Sequence, residues 1–163
     1  MVIDCHVHVQ SGQGTPEDRM GYLLAYADRL GIERLCLSLG TSRDQRPTPE
    51  TVRADNDMVR AAVERHPDRY LGFCYLNPCY LRESLDEIER CIVDGPFVGI
   101  KLWIALQCDQ PNVDPICERA AELGVPILQH TWIKVMGNQP WESTPREVAA
   151  IARRHPEVTF ICG

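Results

Sequence analysis

The chain has 163 residues, with 44% hydrophobic and 25% charged side chains, which suits one globular domain spanning residues 1–163. A net charge of −6 argues against a general nucleic-acid or anionic-membrane partner. The eight cysteines form no Cys-x-x-Cys pair, the first residues have the pattern of a strand and not of a signal peptide, and no apolar run reaches ~18 residues. We therefore expect a cytoplasmic protein with reduced thiols.

The first predicted strand, residues 2–9, carries the most informative pattern of the chain. Side chains alternate between the two faces of a strand, so Asp4, His6 and His8 are expected on one face, and Cys5 and Val7 on the other. Two imidazoles separated by one residue can share a metal ion, and a carboxylate such as Asp4 can orient a ligand histidine. The alternative is a polar strand whose histidines only form hydrogen bonds.

Five further apolar segments have the length and composition of strands. Together with the first, they begin about 30 residues apart, which is the length of a βα unit. The six predicted strands are residues 2–9, 34–39, 70–76, 98–104, 126–130 and 158–162. Their regular spacing indicates a series of repeated βα units.

The segments between these strands carry the start and stop signals of helices. Thr-Pro pairs beginning at Thr15, Thr48 and Thr144 predict an N-cap followed by a proline in the first turn. Gly31 and Gly124 each precede a predicted strand, where glycine commonly ends a helix. We therefore expect one helix between each pair of consecutive strands.

This alternation predicts an α/β fold with a parallel sheet covered by helices. An open doubly wound sheet and a (β/α)8 TIM barrel both fit, but the polar face of the first strand suits the carboxyl-end mouth of a barrel. Ser11-Gly12-Gln13-Gly14 lacks the full Gly-x-Gly-x-x-Gly pattern, which argues against a dinucleotide site. A closed barrel needs about 250 residues, so we expect only the first five βα units plus the sixth strand, with the C-terminal third absent.

Lys101 lies on the fourth predicted strand, on the same face as Gly99 and Trp103. If that face lines a barrel, the ammonium needs an anion nearby. Lys101 is therefore a candidate to bind a substrate carboxylate or, once carboxylated, to bridge two metals. The alternative is a lysine that extends to solvent at the end of its strand.

His130 ends the fifth predicted strand, where a barrel places functional side chains. It can complete a three-histidine metal site with His6 and His8, or it can cap a loop. Trp103 and Trp132 lie near strand ends, where aromatic side chains suit an organic substrate as well as loop packing.

Several segments, in order and spacing, resemble the metal-dependent amidohydrolase superfamily, specifically the amidohydrolase-related (amidohydrolase 2) group of lactone hydrolases and non-oxidative decarboxylases. They are residues 3–8, 56–57, 66–73, 76–78, 98–102, 128–131 and 155–161. The resemblance covers the whole chain and implies a (β/α)8 barrel. It also implies one divalent metal held by His6, His8 and His130, usually zinc, with Mn, Fe and Co as alternatives.

The resemblance further implies catalytic groups beyond Gly163. Family members usually carry a catalytic histidine after the sixth strand and a metal-binding aspartate on the eighth strand, which handles a proton. They often carry a histidine two residues after the fourth-strand lysine, where this chain has Trp103. That departure bears on the substrate and leaves the metal ligands unchanged.

The function expected from these features is metal-dependent hydrolysis of a small-molecule lactone, amide or ester of an organic acid, with Lys101, Trp103 and Trp132 around the substrate. One alternative is non-oxidative decarboxylation of an aromatic or unsaturated carboxylate at the same metal site. Another alternative is a catalytically incomplete chain that acts only within an assembly. An unclosed barrel leaves strand edges exposed, and these could pair in a homo-oligomer or with a complementing C-terminal segment.

Overall fold

The computed structural model describes residues 1–9, 13–39 and 44–163, and there six parallel strands form one sheet. They are β1 (Ile3–His8), β2 (Arg34–Ser38), β3 (Tyr70–Leu76), β4 (Phe97–Leu102), β5 (Ile127–Gln129) and β6 (Phe160–Cys162). All six predicted strands are therefore confirmed, several with shorter ends. The glycine-containing segment at 11–14 lies partly outside the described residues.

Five α-helices alternate with these strands in the described residues. They are α1 (Pro16–Leu30), α2 (Pro49–Arg65), α3 (Leu81–Ile88), α4 (Asp114–Leu123) and α5 (Pro145–Arg154). A π-helical turn, Glu89–Val93, continues α3, and a 3-10 turn, Pro111–Val113, leads into α4. None of the helices in these described stretches is both long enough and apolar enough to cross a membrane.

The predicted start and stop signals act at the ends of the helices. Thr15 and Thr144 form capping boxes at the starts of α1 and α5, and the Thr48 side chain accepts a backbone hydrogen bond at the start of α2. Gly31 and Gly124 end α1 and α4 in the left-handed conformation, with φ of 68° and 66°. The chain therefore turns from these helices into β2 and β5 where the sequence predicts.

The strand order identifies the architecture as a partial (β/α)8 barrel. Each strand pairs in parallel with the next one in the chain, giving β1-β2-β3-β4-β5-β6. A doubly wound sheet reverses this order at a switch point, whereas a barrel wall does not. The sheet also curls until the end of β6 approaches β1, since a Cβ on Gly163 would lie 2.6 Å from Nδ1 of His6. The barrel prediction is confirmed.

Both faces of the sheet are largely buried from β2 to β5, as in other parallel sheets. The outer face packs against the helices in the main core, which includes Leu37 and Ile100. The inner face carries a smaller cluster of buried Cys36, Phe73 and Leu128. All eight cysteines are free thiols, as expected from their spacing.

A β-bulge in β1 changes the alternation expected there. Pairing moves from Asp4 opposite Leu35 to Val7 opposite Leu37, so three steps along β1 match two steps along β2. Within a bulge the side chains no longer alternate strictly between faces. The prediction for Cys5 is therefore wrong: it packs against the inner cluster and not against the helices with Val7.

Candidate active site

Four of the predicted site residues come together at the carboxyl end of the sheet. His6 and His8 of β1 contact each other edge to face, with ring centroids 4.8 Å apart. Lys101 of β4 reaches His6, with Nζ 3.3 Å from Nε2. His130 follows β5 directly and is near enough to act electrostatically on His6 and His8. Parallel strands end at one edge of a sheet, so residues distant in sequence meet there.

Lys101 lies in the interior, with 0% of its surface exposed, which excludes the alternative of a lysine that extends to solvent. Burial lowers the pKa of Lys101 to about 7. Burial, reinforced by the charge of Lys101, lowers the pKa of His6 to about 4. The His6 ring is therefore neutral at neutral pH, and its Nε2 faces an amine.

The ring of His8 is oriented by the neighbouring strand. Its Nδ1 donates a hydrogen bond of 3.1 Å to the backbone carbonyl of Ser38, at the end of β2. Burial lowers the pKa of His8, and the neutral ring with a proton on Nδ1 presents its lone pair on Nε2. Sequence reasoning missed Ser38 because its contribution is a carbonyl oxygen, which any residue supplies.

His130 has a buried carboxylate as its partner. Its Nε2 lies 3.0 Å from Oε1 of Glu142, a side chain only 1% exposed. Lys134 donates to the same oxygen at 2.8 Å. Burial lowers the pKa of His130 although Glu142 opposes this shift. Sequence reasoning missed Glu142, which lies twelve residues after His130 in a loop without hydrophobic periodicity. The signal that could have found it was the presence of an acidic residue in the loop that begins at His130.

Asp4 contacts the backbone and not an imidazole ring. Its Oδ1 accepts a hydrogen bond of 3.1 Å from the backbone N–H of His6. This contact spans the bulged part of β1, where ladder pairing is interrupted. Asp4 therefore contacts His6 through the main chain, and its role in orienting a ligand histidine stays a prediction.

The two predicted substrate-binding tryptophans lie in different surroundings. Trp103, after β4, is partly buried and packs with Leu39 and Tyr75. Trp132 is 54% exposed, and its ring centroid lies 6.1 Å from that of His130. The Nζ of Lys134 lies 5.7 Å from the Trp132 ring centroid, a cation–π distance. Trp132 thus offers an accessible aromatic face beside His130.

The donor chemistry of His6, His8 and His130 fits a divalent metal. Burial lowers the pKa of all three rings, which favours the neutral form that binds metals, and the charge of Lys101 acts on all three. The amine of Lys101 therefore lies close enough to all three rings to affect their protonation. In the part of the chain that the structure describes, no three His, Cys, Asp or Glu side chains are placed so that they could hold an ion. The three-histidine site stays a prediction.

Known proteins place the chain in a family. Residues 3–163 match the profile of the family described as Amidohydrolase. The chain belongs to the amidohydrolase family. This membership confirms the resemblance drawn from the sequence segments, and it places the chain in an enzyme family.

Two curated relatives show the range of similarity. Gamma-resorcylate decarboxylase from Rhizobium sp. (strain MTP-10005) is 26% identical over 174 residues, covering 86% of this chain and 53% of that protein. 2-Amino-3-carboxymuconate-6-semialdehyde decarboxylase from Dictyostelium discoideum is 29% identical over 80 residues, covering 47% and 22%. The chain spans about half the length of the first of these relatives and a smaller part of the second.

Solved structures share the fold at lower identity. A 2,6-dihydroxybenzoate decarboxylase from Rhizobium has a TM-score of 0.75 at 20% identity, covering 99% of this chain and 65% of that one. A 5-carboxyvanillate decarboxylase from Novosphingobium aromaticivorans, complexed with manganese, has a TM-score of 0.71 at 20% identity, covering 87% and 48%. These similarities support the partial TIM-barrel architecture.

Proposed function

We propose that this protein is a metal-dependent, non-oxidative decarboxylase of a small aromatic carboxylate. The placement of buried Lys101 beside three neutral histidines supports the proposal, because it brings candidate metal ligands together with an amine that can pair with a carboxylate. The similar proteins described above are named as decarboxylases, which favours this reaction over the hydrolysis expected from the sequence.

His6, His8 and His130 would hold one divalent metal. Manganese is the first candidate, because the similar 5-carboxyvanillate decarboxylase is complexed with it. The zinc expected from the sequence has no comparable support. When bound, the metal would stabilise negative charge that develops on the substrate.

Lys101 and Trp132 would orient the substrate. In the protein interior, an ion pair between Lys101 and a carboxylate is stronger than the same pair in water. Lys101 has a pKa of about 7, and a bound carboxylate would favour its charged form. The exposed Trp132 ring beside His130 offers a surface on which an aromatic substrate can stack.

Metal analysis tests the proposed ligands. Protein reconstituted with Mn²⁺ should bind one equivalent, and His6→Ala and His8→Ala should each lose it because a ligand is removed. His66→Ala is the matched control and should retain the metal, because His66 caps the end of α2 at the opposite edge of the sheet. Stoichiometric metal in both site variants contradicts the proposed centre.

Product analysis tests the proposed reaction. We expect CO₂ release from at least one member of a panel of hydroxybenzoates, and loss of this release after metal removal. Acid release from lactones is measured in parallel. Lactone hydrolysis without CO₂ release would restore the hydrolase interpretation. A metal-loaded chain with neither activity would favour a chain that acts only within an assembly.

A further inference from the structure

Glu142 is the most completely buried carboxylate near the candidate site. It belongs to the β5–α5 loop (residues 130–144), and its side chain is 1% exposed. Its Oε1 accepts from Nε2 of His130 at 3.0 Å and from Nζ of Lys134 at 2.8 Å. Its Oε2 accepts from the backbone N–H of Gln139 at 3.1 Å. Both carboxylate oxygens are therefore engaged.

This contact determines which nitrogen of His130 can bind a metal. An ionised carboxylate only accepts hydrogen bonds, so Nε2 of His130 must carry the proton. A neutral imidazole with its proton on Nε2 has its lone pair on Nδ1.

We infer that Glu142 is a positioning residue that fixes His130 as a metal ligand through Nδ1. The inference rests on the proposed function, because it assumes that His130 binds the metal. Metal-binding histidines commonly donate their other ring N–H to a carboxylate or a carbonyl. His8 follows the same rule on the opposite nitrogen, since its Nδ1 donates to the carbonyl of Ser38 and leaves Nε2 available.

Lys134 makes this arrangement stable. The Lys134 ammonium lies 2.8 Å from Oε1, the same oxygen that faces Nε2 of His130, and this charged donor favours the ionised form of the carboxylate. The carboxylate therefore stays ionised as an acceptor and leaves the Nε2 proton on His130. Within the same loop, the Asn138 side chain accepts from the backbone N–H of Lys134 and donates to the carbonyl of Trp132, which holds these two residues together.

Metal affinity and histidine tautomers test the inference in variants of Glu142. Glu142→Ala should weaken Mn²⁺ binding by about 10- to 100-fold, the usual effect of losing such a partner. Glu142→Gln should weaken it less, because its amide oxygen still accepts from Nε2. Glu118→Gln removes one exposed carboxylate charge outside the site and should leave the affinity unchanged.

Side-chain ¹H–¹⁵N spectra of metal-free protein provide a readout that a purely structural role would not move. His130 should carry its proton on Nε2 in the parent protein and in Glu142→Gln, and should show mixed tautomers in Glu142→Ala. Unchanged tautomers and unchanged Mn²⁺ affinity in Glu142→Ala would overturn the inference. Equal losses of affinity in the Gln and Ala variants, with the tautomer unchanged, would also overturn it, because they identify Glu142 itself as a ligand.

The failure of the inference is distinguishable from the failure of the proposed function. If the parent protein binds no Mn²⁺, or binds it equally well in His8→Ala, the proposed metal centre fails. If Mn²⁺ binding depends on His8 but not on Glu142, only the positioning role fails. Circular dichroism of each variant identifies any loss of folding, and Glu142→Gln keeps the test decisive if Glu142→Ala does not fold.

Discussion

A fully buried lysine beside a neutral imidazole is the least expected feature at the residue scale. Lysine is rarely fully buried unless it is paired. Among the described residues, the hydrogen-bonding partner of Lys101 is Nε2 of His6, a neutral group that does not offset the desolvation of an ammonium. At pH values below about 7 the protein without ligand therefore holds a destabilising cation at its centre. A substrate carboxylate would provide the opposite charge, so ligand binding would relieve this destabilisation.

Replacing Lys101 with methionine should stabilise the protein in the absence of metal and substrate. Methionine has similar length and no charge. A pKa lowered from 10.5 to about 7 corresponds to a destabilisation of up to about 5 kcal/mol at pH 7 and below. The destabilisation declines from pH 7 to pH 10.5, because the folded lysine is then neutral while the unfolded lysine still binds a proton. Urea unfolding with a chelator should therefore show a larger gain at pH 6.5 than at pH 9.5.

The second lysine of the chain provides a matched control. Lys134 pairs with buried Glu142 at 2.8 Å, so Lys134→Met should destabilise the protein. A Lys101→Met variant that is no more stable than the parent protein at pH 6.5 would show that the ammonium is compensated in the fold.

At the scale of secondary-structure elements, a buried polar bridge joins α2, β3 and the end of α3. The Asn56 amide bonds to the backbone of Tyr75 on both sides, at 2.8 and 3.0 Å, and donates to Glu87 at 3.0 Å. Glu87 also accepts two hydrogen bonds of 2.8 Å from Arg90, in the π-helical turn. This bridge holds α2 and α3 against β3, the strand next to β4, which carries Lys101.

Glu87→Gln should destabilise the protein by about 2–4 kcal/mol at pH 7, because it removes a charge-assisted bidentate pair and leaves Arg90 with one fewer partner. Burial would raise the pKa of Glu87, but hydrogen bonds from Arg90 and Asn56 lower it below 4.5. The stabilisation by Glu87 is thus present above its unfolded pKa and is lost as pH falls through the lower folded pKa. In urea unfolding, the free energies of unfolding of the variant and the parent protein should therefore become more similar below about pH 4.

Glu64→Gln is the control for this experiment, because Glu64 is exposed on the same helix as Asn56. It should change stability by less than about 0.5 kcal/mol. If the free energies of unfolding of Glu87→Gln and the parent protein differ by the same amount from pH 7 to pH 3.5, the packing of Glu87, and not its charge, accounts for its role.

The elements of the fold were largely predictable because local signals coincide with them. Thr15, Thr48 and Gly31 act through contacts within a few residues, so their effects can be inferred from the sequence. The bulge in β1 and the π-helical turn after α3 were not predictable, because each depends on how neighbouring elements fit together.

The same distinction holds for the candidate site. The order of strands brings His6, His8 and Lys101 to one edge, so periodicity alone could group them. Glu142 and Ser38 were missed because their contacts depend on the path of a loop and on a backbone carbonyl. The hydrogen bond from the backbone N–H of His6 to Asp4 was also missed, because alternation gives the face of a side chain and not its partner.

At the scale of the whole molecule, the described sheet has four central strands and two edge strands, because each strand pairs with the next one in the chain. From β2 to β5, each strand is hydrogen-bonded on both sides, whereas β1 and β6 are paired on one side. β6 is also only three residues long, and its side chains are partly or fully exposed. Opening of β6 therefore breaks a single short ladder, while opening of β3 or β4 disrupts two ladders and the core.

Native-state hydrogen exchange should follow this order. Amides of β3 and β4 should exchange slowest, at rates near those of global unfolding, and amides of β6 should exchange fastest among the strands. Uniform protection across all six strands would contradict this account, because it would mean that the two edges are as well supported as the centre.

The concentration dependence of exchange tests whether the edge strands pair with a second copy, as expected for an exposed strand edge. Protection of β6 should rise with protein concentration if two copies pair there, since association stabilises the paired state by mass action. Fast exchange in β6 at all concentrations would show that its edge remains open in solution, which would contradict pairing between copies at this strand.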